Sequence, residues 1–261
     1  MKHCYLIGIG PGHPDFLTLE GLNALRCVDL FLILEKEGRG KDELTALRHD
    51  ILQRVRPDGG YRELSVPSPA RPRAVDQDAA AYHAVVDAWH AEKRRLFRGV
   101  LERELADGEA AGLMLWGDPT LYDQTISMLT RVVQELPEPL GLSVIPGISA
   151  VQVLCARHRI PLNRVGESVS IITGREAEQV DPASVHNTVV MLDYNASFRR
   201  FVGQDMDIYW GGYLGAPDEV LVAGRLDDVH DELLRLKAAL REQKGWLMDT
   251  YLLRRRGTDE G

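Results

Sequence analysis

The sequence predicts a two-domain α/β protein, with a mostly parallel N-terminal sheet flanked by helices and a mixed C-terminal sheet with helices. Three observations carry that reading. Residues 1–158 alternate short apolar runs with amphipathic helical segments, the order of a parallel sheet with crossover helices. Residues 159–166 lose this periodicity and gather Pro161, Asn163 and Gly166, a linker composition. Residues 167–253 then bring five strand-like runs with fewer helices between them, and residues 254–261 form a polar tail.

Each element has a local cause. His3–Ile9 is an apolar strand that runs into the turn Gly8-Ile9-Gly10-Pro11-Gly12. Thr18 is placed to cap a helix ending near Arg26. Val28–Leu34 is a second apolar strand. Leu44, Leu47, Ile51, Leu52 and Val55 recur at helical spacing, which predicts a helix over Asp42–Val55. Tyr61–Val66 reads as a strand and Pro67–Pro72 as a Pro/Arg-rich linker. From Tyr82 to Leu105 the apolar and aromatic residues share one face of a long helix, a stripe that suits a packed core, a dimer face or a substrate wall. Strands at Ala111–Trp116 and Leu142–Ile145 follow, with helices at Tyr122–Gln134 and Ser149–Ala156. Beyond the linker, strands are expected at Val169–Thr173, Thr188–Leu192, Ile208–Gly211, Glu219–Ala223 and Trp246–Leu253, with the clearest helix at Asp228–Leu240.

Composition narrows the function. The 261 residues carry a formal net charge of −8, which disfavours a protein that grips nucleic acid with a broad basic surface. Cys4, Cys27 and Cys155 are scattered without metal-ligand spacing and read as small core residues in a reducing compartment. The histidines show no HExxH or paired spacing, so no metal is expected. The longest apolar run is too short to span a bilayer, and Met1–Ile9 enters a strand directly, so a cytoplasmic protein is expected.

The chemistry lies in three turns. The glycine turn at 8–12 falls short of a dinucleotide fingerprint, because His13 stands where the third glycine belongs. Pro11 and Pro14 also remove N–H donors that a pyrophosphate would need. The second turn, Gly117-Asp118-Pro119-Thr120, and the third, Pro146-Gly147-Ile148-Ser149, likewise close apolar strands at their carboxyl ends, where open α/β sheets place ligands. Together they predict a site built largely of backbone and suited to a neutral or cationic small molecule. A sulfonium fits, since carbonyl oxygens can accept weak C–H···O contacts from its methyl group.

The stretches Gly-Ile-Gly-Pro-Gly-His-Pro-Asp-Phe-Leu-Thr (8–18), Trp-Gly-Asp-Pro-Thr-Leu-Tyr-Asp (116–123) and Ile-Pro-Gly-Ile-Ser-Ala (145–150), in this order, closely resemble the tetrapyrrole methylases. The likeness runs nearly the whole length. It implies a two-domain homodimeric enzyme that holds S-adenosylmethionine between its domains and methylates a tetrapyrrole. Within the family, residues 157–164, 207–211, 213–219 and 244–251 resemble the branch that methylates C1 of a precorrin and releases its extruded acetyl group as acetate. Carried across by motif, the cofactor positions are Pro11, Trp116, Gly117, Asp118, Leu121, Ser149, Ala150, Leu192 (where many relatives have Met) and Gly224, after the Glu219–Ala223 strand. Asp15 lies toward the substrate side in relatives.

Acetate release calls for a general base and a polarising donor. The candidates are Asp15, Glu35 and Tyr122, with Asp123 and Asp249 behind them. Four have a plainer reading: Asp15 as a turn cap, Tyr122 and Asp123 as a helix start, Asp249 as a paired core carboxylate; Glu35 ends an apolar strand at its carboxyl edge, which favours a cleft position. Lys36, Arg39, Lys41, Arg71, Arg73, Arg157 and Arg159 are the cations available to substrate carboxylates. The alternative substrates for such a fold are another precorrin, ribosomal RNA or a translation factor.

Overall fold

The computed structural model describes residues 1–35, 42–67 and 79–257. Lys36, Arg39, Lys41, Arg71 and Arg73 lie outside the described residues. The chain divides into two compact units, one of residues 1–10 and 14–148, the other of residues 11–13 and those from 149 onward.

The first unit runs β1 (Lys2–Gly8), α1 (Leu19–Arg26), β2 (Leu30–Glu35), α2 (Asp42–Val55), β3 (Arg62–Pro67), α3 (Ala79–Glu104), β4 (Ala110–Leu115), α4 (Thr125–Glu135) and β5 (Leu140–Ile145). All five strands are parallel, in the order β3-β2-β4-β1-β5. Every residue of β4 is buried, as expected of an inner strand covered on both faces. On one face Phe97, Leu101, Met128, Leu129 and Val132 from α3 and α4 pack with Leu6, Leu113 and Leu115. On the other, Leu25, Ile51 and Leu52 from α1 and α2 pack with Ile7, Phe31 and Met114. Fully burying each such side chain stabilises by about 1.5–3 kcal/mol. The C-terminal part of the α3 stripe is therefore core. Thr18 caps α1, taking the Gly21 N–H on its hydroxyl at 3.0 Å. The helix expected from Tyr122 begins only at Thr125, because Tyr122 is left-handed (φ 54°) and the Asp123 carboxylate accepts the Thr125 N–H at 2.6 Å. Cys4 is core, its thiol pushed up to about 12 by burial, whereas Cys27 is exposed at the end of α1.

The second unit contains α5 (Ala150–His158), β6 (Ser170–Thr173), α6 (Gly174–Ala177), β7 (Asn187–Met191), β8 (Met206–Gly212), β9 (Val220–Arg225), α7 (Leu226–Lys244) and β10 (Asp249–Arg255). Its sheet has the order β6-β7-β10-β8-β9, parallel between β6 and β7 and antiparallel elsewhere. Leu226 and Leu233 of α7 cover Ile208, Trp210, Tyr251 and Leu253 on one face.

Helix α5 belongs to this unit rather than to the N-terminal one expected from the sequence. His158 Nε2 lies 3.0 Å from the Trp210 carbonyl, and Arg157 pairs with Glu219 at 2.9 Å. Residues 254 and 255, expected in a polar tail, complete β10. Arg254 is buried and donates to the Pro161 carbonyl at 2.7 Å, while Arg255 donates to Gln204 and Pro182 carbonyls at 3.0 Å each. The last strand starts at Asp249, not Trp246. Tyr213 holds the preceding loop, its N–H on the Met248 carbonyl at 2.9 Å and its hydroxyl on that of Trp246.

Candidate active site

Strand order brings the three turns together. β4, β1 and β5 are neighbours in register, Gly8 opposite Leu115 and Ile7 opposite Ile145, so their carboxyl ends lie side by side. Beyond the strands, Gly10 and Gly117 exchange backbone hydrogen bonds, 3.3 Å from the Gly10 N–H and 2.9 Å from the Gly117 N–H. Gly117 has φ 61°, the left-handed region that glycine enters without a Cβ penalty. A Cβ on Gly8 would sit 2.6 Å from the Gly147 nitrogen and 2.9 Å from the Gly117 oxygen. Each turn thus supplies a glycine to one contact point.

Asp118 fastens this assembly. One carboxylate oxygen accepts the Gly147 N–H at 2.8 Å; the other accepts the Thr120 N–H at 2.8 Å and the Thr120 hydroxyl. Burial raises the carboxyl's pKa, but the Thr120 hydroxyl and the Gly147 and Thr120 N–H groups outweigh it and hold the group below its ordinary value. The side chain is therefore committed to joining the second turn to the third.

Trp116, just before this turn, is half-buried, and its indole N–H is buried with no hydrogen-bond partner among the described residues. A buried donor without an acceptor costs about 1–3 kcal/mol. The Arg48 guanidinium lies 5.5 Å from the ring centroid and donates to the Met114 carbonyl at 3.3 Å. Burial lowers the Arg48 pKa to about 10. Arg48 was missed from the sequence, although a signal exists: it stands four residues after Leu44 and three before Ile51, on the apolar stripe of α2.

The other first-unit candidates are dispersed along the turns. Asp15 is exposed in a short 3-10 turn at Pro14–Phe16. Leu121 is half-buried, its N–H on the Asp118 carbonyl at 3.2 Å. Tyr122 is 43% exposed on its left-handed backbone. Glu35 ends β2, and its side chain lies outside the described part of the chain.

In the second unit, Pro11 is half-buried, and a Cβ on its neighbour Gly12 would meet the Leu214 carbonyl at 2.6 Å. Ser149 is buried and caps α5. Its hydroxyl accepts the Val151 N–H at 3.2 Å and meets Gln152, whose side chain accepts the Ser149 N–H at 3.0 Å. Ala150 is the first residue of α5. Gly224 does not follow its strand. It lies within β9, opposite Ile208, with a φ of 155° that glycine alone adopts readily. Asp249 is the paired core carboxylate, bound to Lys237 and to the Trp210 indole N–H at 2.8 Å.

Leu192 follows β7. Its side chain is 67% exposed and its backbone is left-handed (φ 56°), a conformation that costs a non-glycine residue about 1–2 kcal/mol. The next residue, Asp193, is 2% exposed and anchored by Tyr251 and Ser197.

Fold and turns together define a class, and the chain belongs to the tetrapyrrole methylase family: the model for Tetrapyrrole (Corrin/Porphyrin) Methylases matches residues 3–230. Among individual proteins, it is 40% identical over 257 residues to the precorrin-6A synthase (deacetylating) of Sinorhizobium sp, covering 98% of this chain and 96% of that one. The cobalt-precorrin-2 C(20)-methyltransferase of Salmonella typhimurium is 26% identical over 201 residues, 75% and 74% of the two chains. Among solved structures, the cobalamin synthesis related protein CobF of Corynebacterium diphtheriae superposes with a TM-score of 0.80 at 34% identity, over 97% of this chain and 98% of that one.

Proposed function

We propose that this chain is an S-adenosylmethionine-dependent C-methyltransferase that methylates C1 of precorrin-5 and releases acetate, giving precorrin-6A in cobalamin biosynthesis. The observation that carries the reading is the 40% identity, over almost the entire length of both chains, to a precorrin-6A synthase (deacetylating). The joined turns at Gly8–Gly10, Gly117–Asp118 and Gly147 are the local structure that supports it.

The residues suit this cofactor. The turns offer bare backbone, the Trp116 indole N–H is a buried donor without a partner among the described residues, and Leu192 offers an exposed apolar side chain. When bound, the cofactor supplies an electrophilic methyl group. Pro11, Trp116, Gly117, Leu121, Ser149, Ala150, Leu192 and Gly224 are the proposed binding positions, with Asp118 acting by fixing the turns. Their task is alignment, which in well-oriented reactions lowers barriers by about 7–11 kcal/mol.

Acetate release places a water oxygen on the acetyl carbon, breaks the bond from that carbon to the macrocycle, leaves the electron pair on the macrocycle, and gives the water proton to a base. Asp15, Glu35 and Tyr122 are the proposed proton carriers. The active form is proposed to be a cytoplasmic homodimer, checked by light scattering. No helix among the described residues is long and apolar enough to cross a membrane. The functional test is to mix the protein with precorrin-5 and methyl-labelled S-adenosylmethionine. One methyl gained per macrocycle is expected, and no label in the tetrapyrrole would overturn the reading.

A further inference from the structure

Asp193, the residue after the left-handed Leu192, is the centre of a largely buried polar network. The Asp193 carboxylate accepts the Tyr251 hydroxyl at 2.7 Å and the Ser197 N–H at 2.7 Å, and its other oxygen lies 2.8 Å from the Ser197 hydroxyl. The Asp193 carbonyl accepts the Lys237 ammonium at 3.0 Å and the Arg241 guanidinium at 3.4 Å. Lys237, 2% exposed, also pairs with Asp249, which takes the Trp210 indole N–H. A Cβ on Gly174 would stand 2.5 Å from the Asp193 Cα, so backbone packs closely against residue 193 as well.

Side chains from α7 and β10, together with Ser197, thus converge on Asp193. The residue before it carries an apolar side chain into solvent on strained backbone. Strain of this kind persists only where the surroundings over-determine it. Leu192, 67% exposed, gains little burial in return.

We propose that Asp193, Tyr251 and Lys237 are positioning residues that preset Leu192 in the left-handed conformation in which it meets S-adenosylmethionine. The inference rests on the methyltransferase reading and adds residues that touch no ligand. Without the network, Leu192 spends most of its time in ordinary backbone regions, and apparent affinity falls with the fraction that remains competent. The energy of a left-handed leucine corresponds to about a 5- to 30-fold weakening.

The test is calorimetric binding of S-adenosylhomocysteine to the full chain and to Tyr251→Phe, Ser197→Ala and Asp193→Asn. Tyr251→Phe and Ser197→Ala keep the packing and guard against a misfolded Asp193→Asn. Met206→Ala, at the far end of β8, supplies a core cavity that leaves the network intact. The expected result is weaker binding in the network variants, with KM for the cofactor rising and kcat nearly unchanged, and wild-type affinity in Met206→Ala. Combined with Leu192→Ala, Tyr251→Phe should weaken binding less than it does alone, because the two act through one contact. Wild-type protein that fails to bind would overturn the methyltransferase reading and the inference with it. Wild-type protein that binds, beside folded network variants of equal affinity, would overturn the inference alone.

Discussion

The Asp118 carboxylate accepts the Gly147 N–H at 2.8 Å, joining turns that are 29 residues apart in sequence. Asp118, expected to hold the cofactor, also holds two loops together. Asp118→Ala leaves the Gly147 N–H without its acceptor, which costs about 1–3 kcal/mol and is measurable by urea denaturation. The same variant should weaken S-adenosylhomocysteine binding more than Asp15→Ala does, since Asp15 is exposed and distant from this clamp in sequence. Equal affinities would contradict the clamp.

The clamp has a pH dependence of definite sign. Hydrogen bonds hold the folded Asp118 carboxyl below its ordinary value in spite of burial. Its stabilisation is therefore complete above the unfolded carboxylate pKa of about 3.9 and is lost as the pH falls through the lower folded value. Wild-type protein should lose more stability than Asp118→Asn between about pH 5 and acid unfolding. Parallel pH profiles for the two proteins would refute this.

Contact among the glycines leaves no space for a methyl group. Gly8→Ala places a Cβ 2.6 Å from the Gly147 nitrogen, so backbone must move. Overpacking of this kind costs about 1–3 kcal/mol. Calorimetry should show S-adenosylhomocysteine binding reduced in a protein whose circular dichroism is unchanged. An unaltered affinity would show that the close approach of the turns is dispensable.

The Lys237–Asp249 pair is fully buried, so removing one partner strands the other. Lys237→Met should lower stability by about 3–5 kcal/mol in urea titration. Replacing both partners, Lys237→Met with Asp249→Leu, should restore much of the loss. A single variant as stable as wild type would show the pair to be inessential.

Local signals in the sequence located the turns, because glycine and proline interrupt apolar strands there. They also located the caps at Thr18 and Ser149, whose hydroxyls meet backbone N–H groups as expected. Contacts distant in sequence were harder to read. That β1 lies between β4 and β5 is a property of the sheet, and the Asp118–Gly147 bond depends on that order. Helix α5 joins the second unit through His158 and Arg157, contacts that periodicity does not encode. Lys237 and Arg48 were legible in part, as cations on apolar helix faces. Lys237 stands four residues after Leu233 and three before Leu240. The acceptors they reach, the Asp193 and Met114 carbonyls, come from folding alone.

The most direct test of the central claim is the stoichiometry of turnover. Incubated with precorrin-5 and S-adenosylmethionine, the protein should add one methyl group at C1 and release one acetate for each S-adenosylhomocysteine formed, read by mass spectrometry and NMR. Methylation at another carbon, or methylation with no free acetate, would contradict the account.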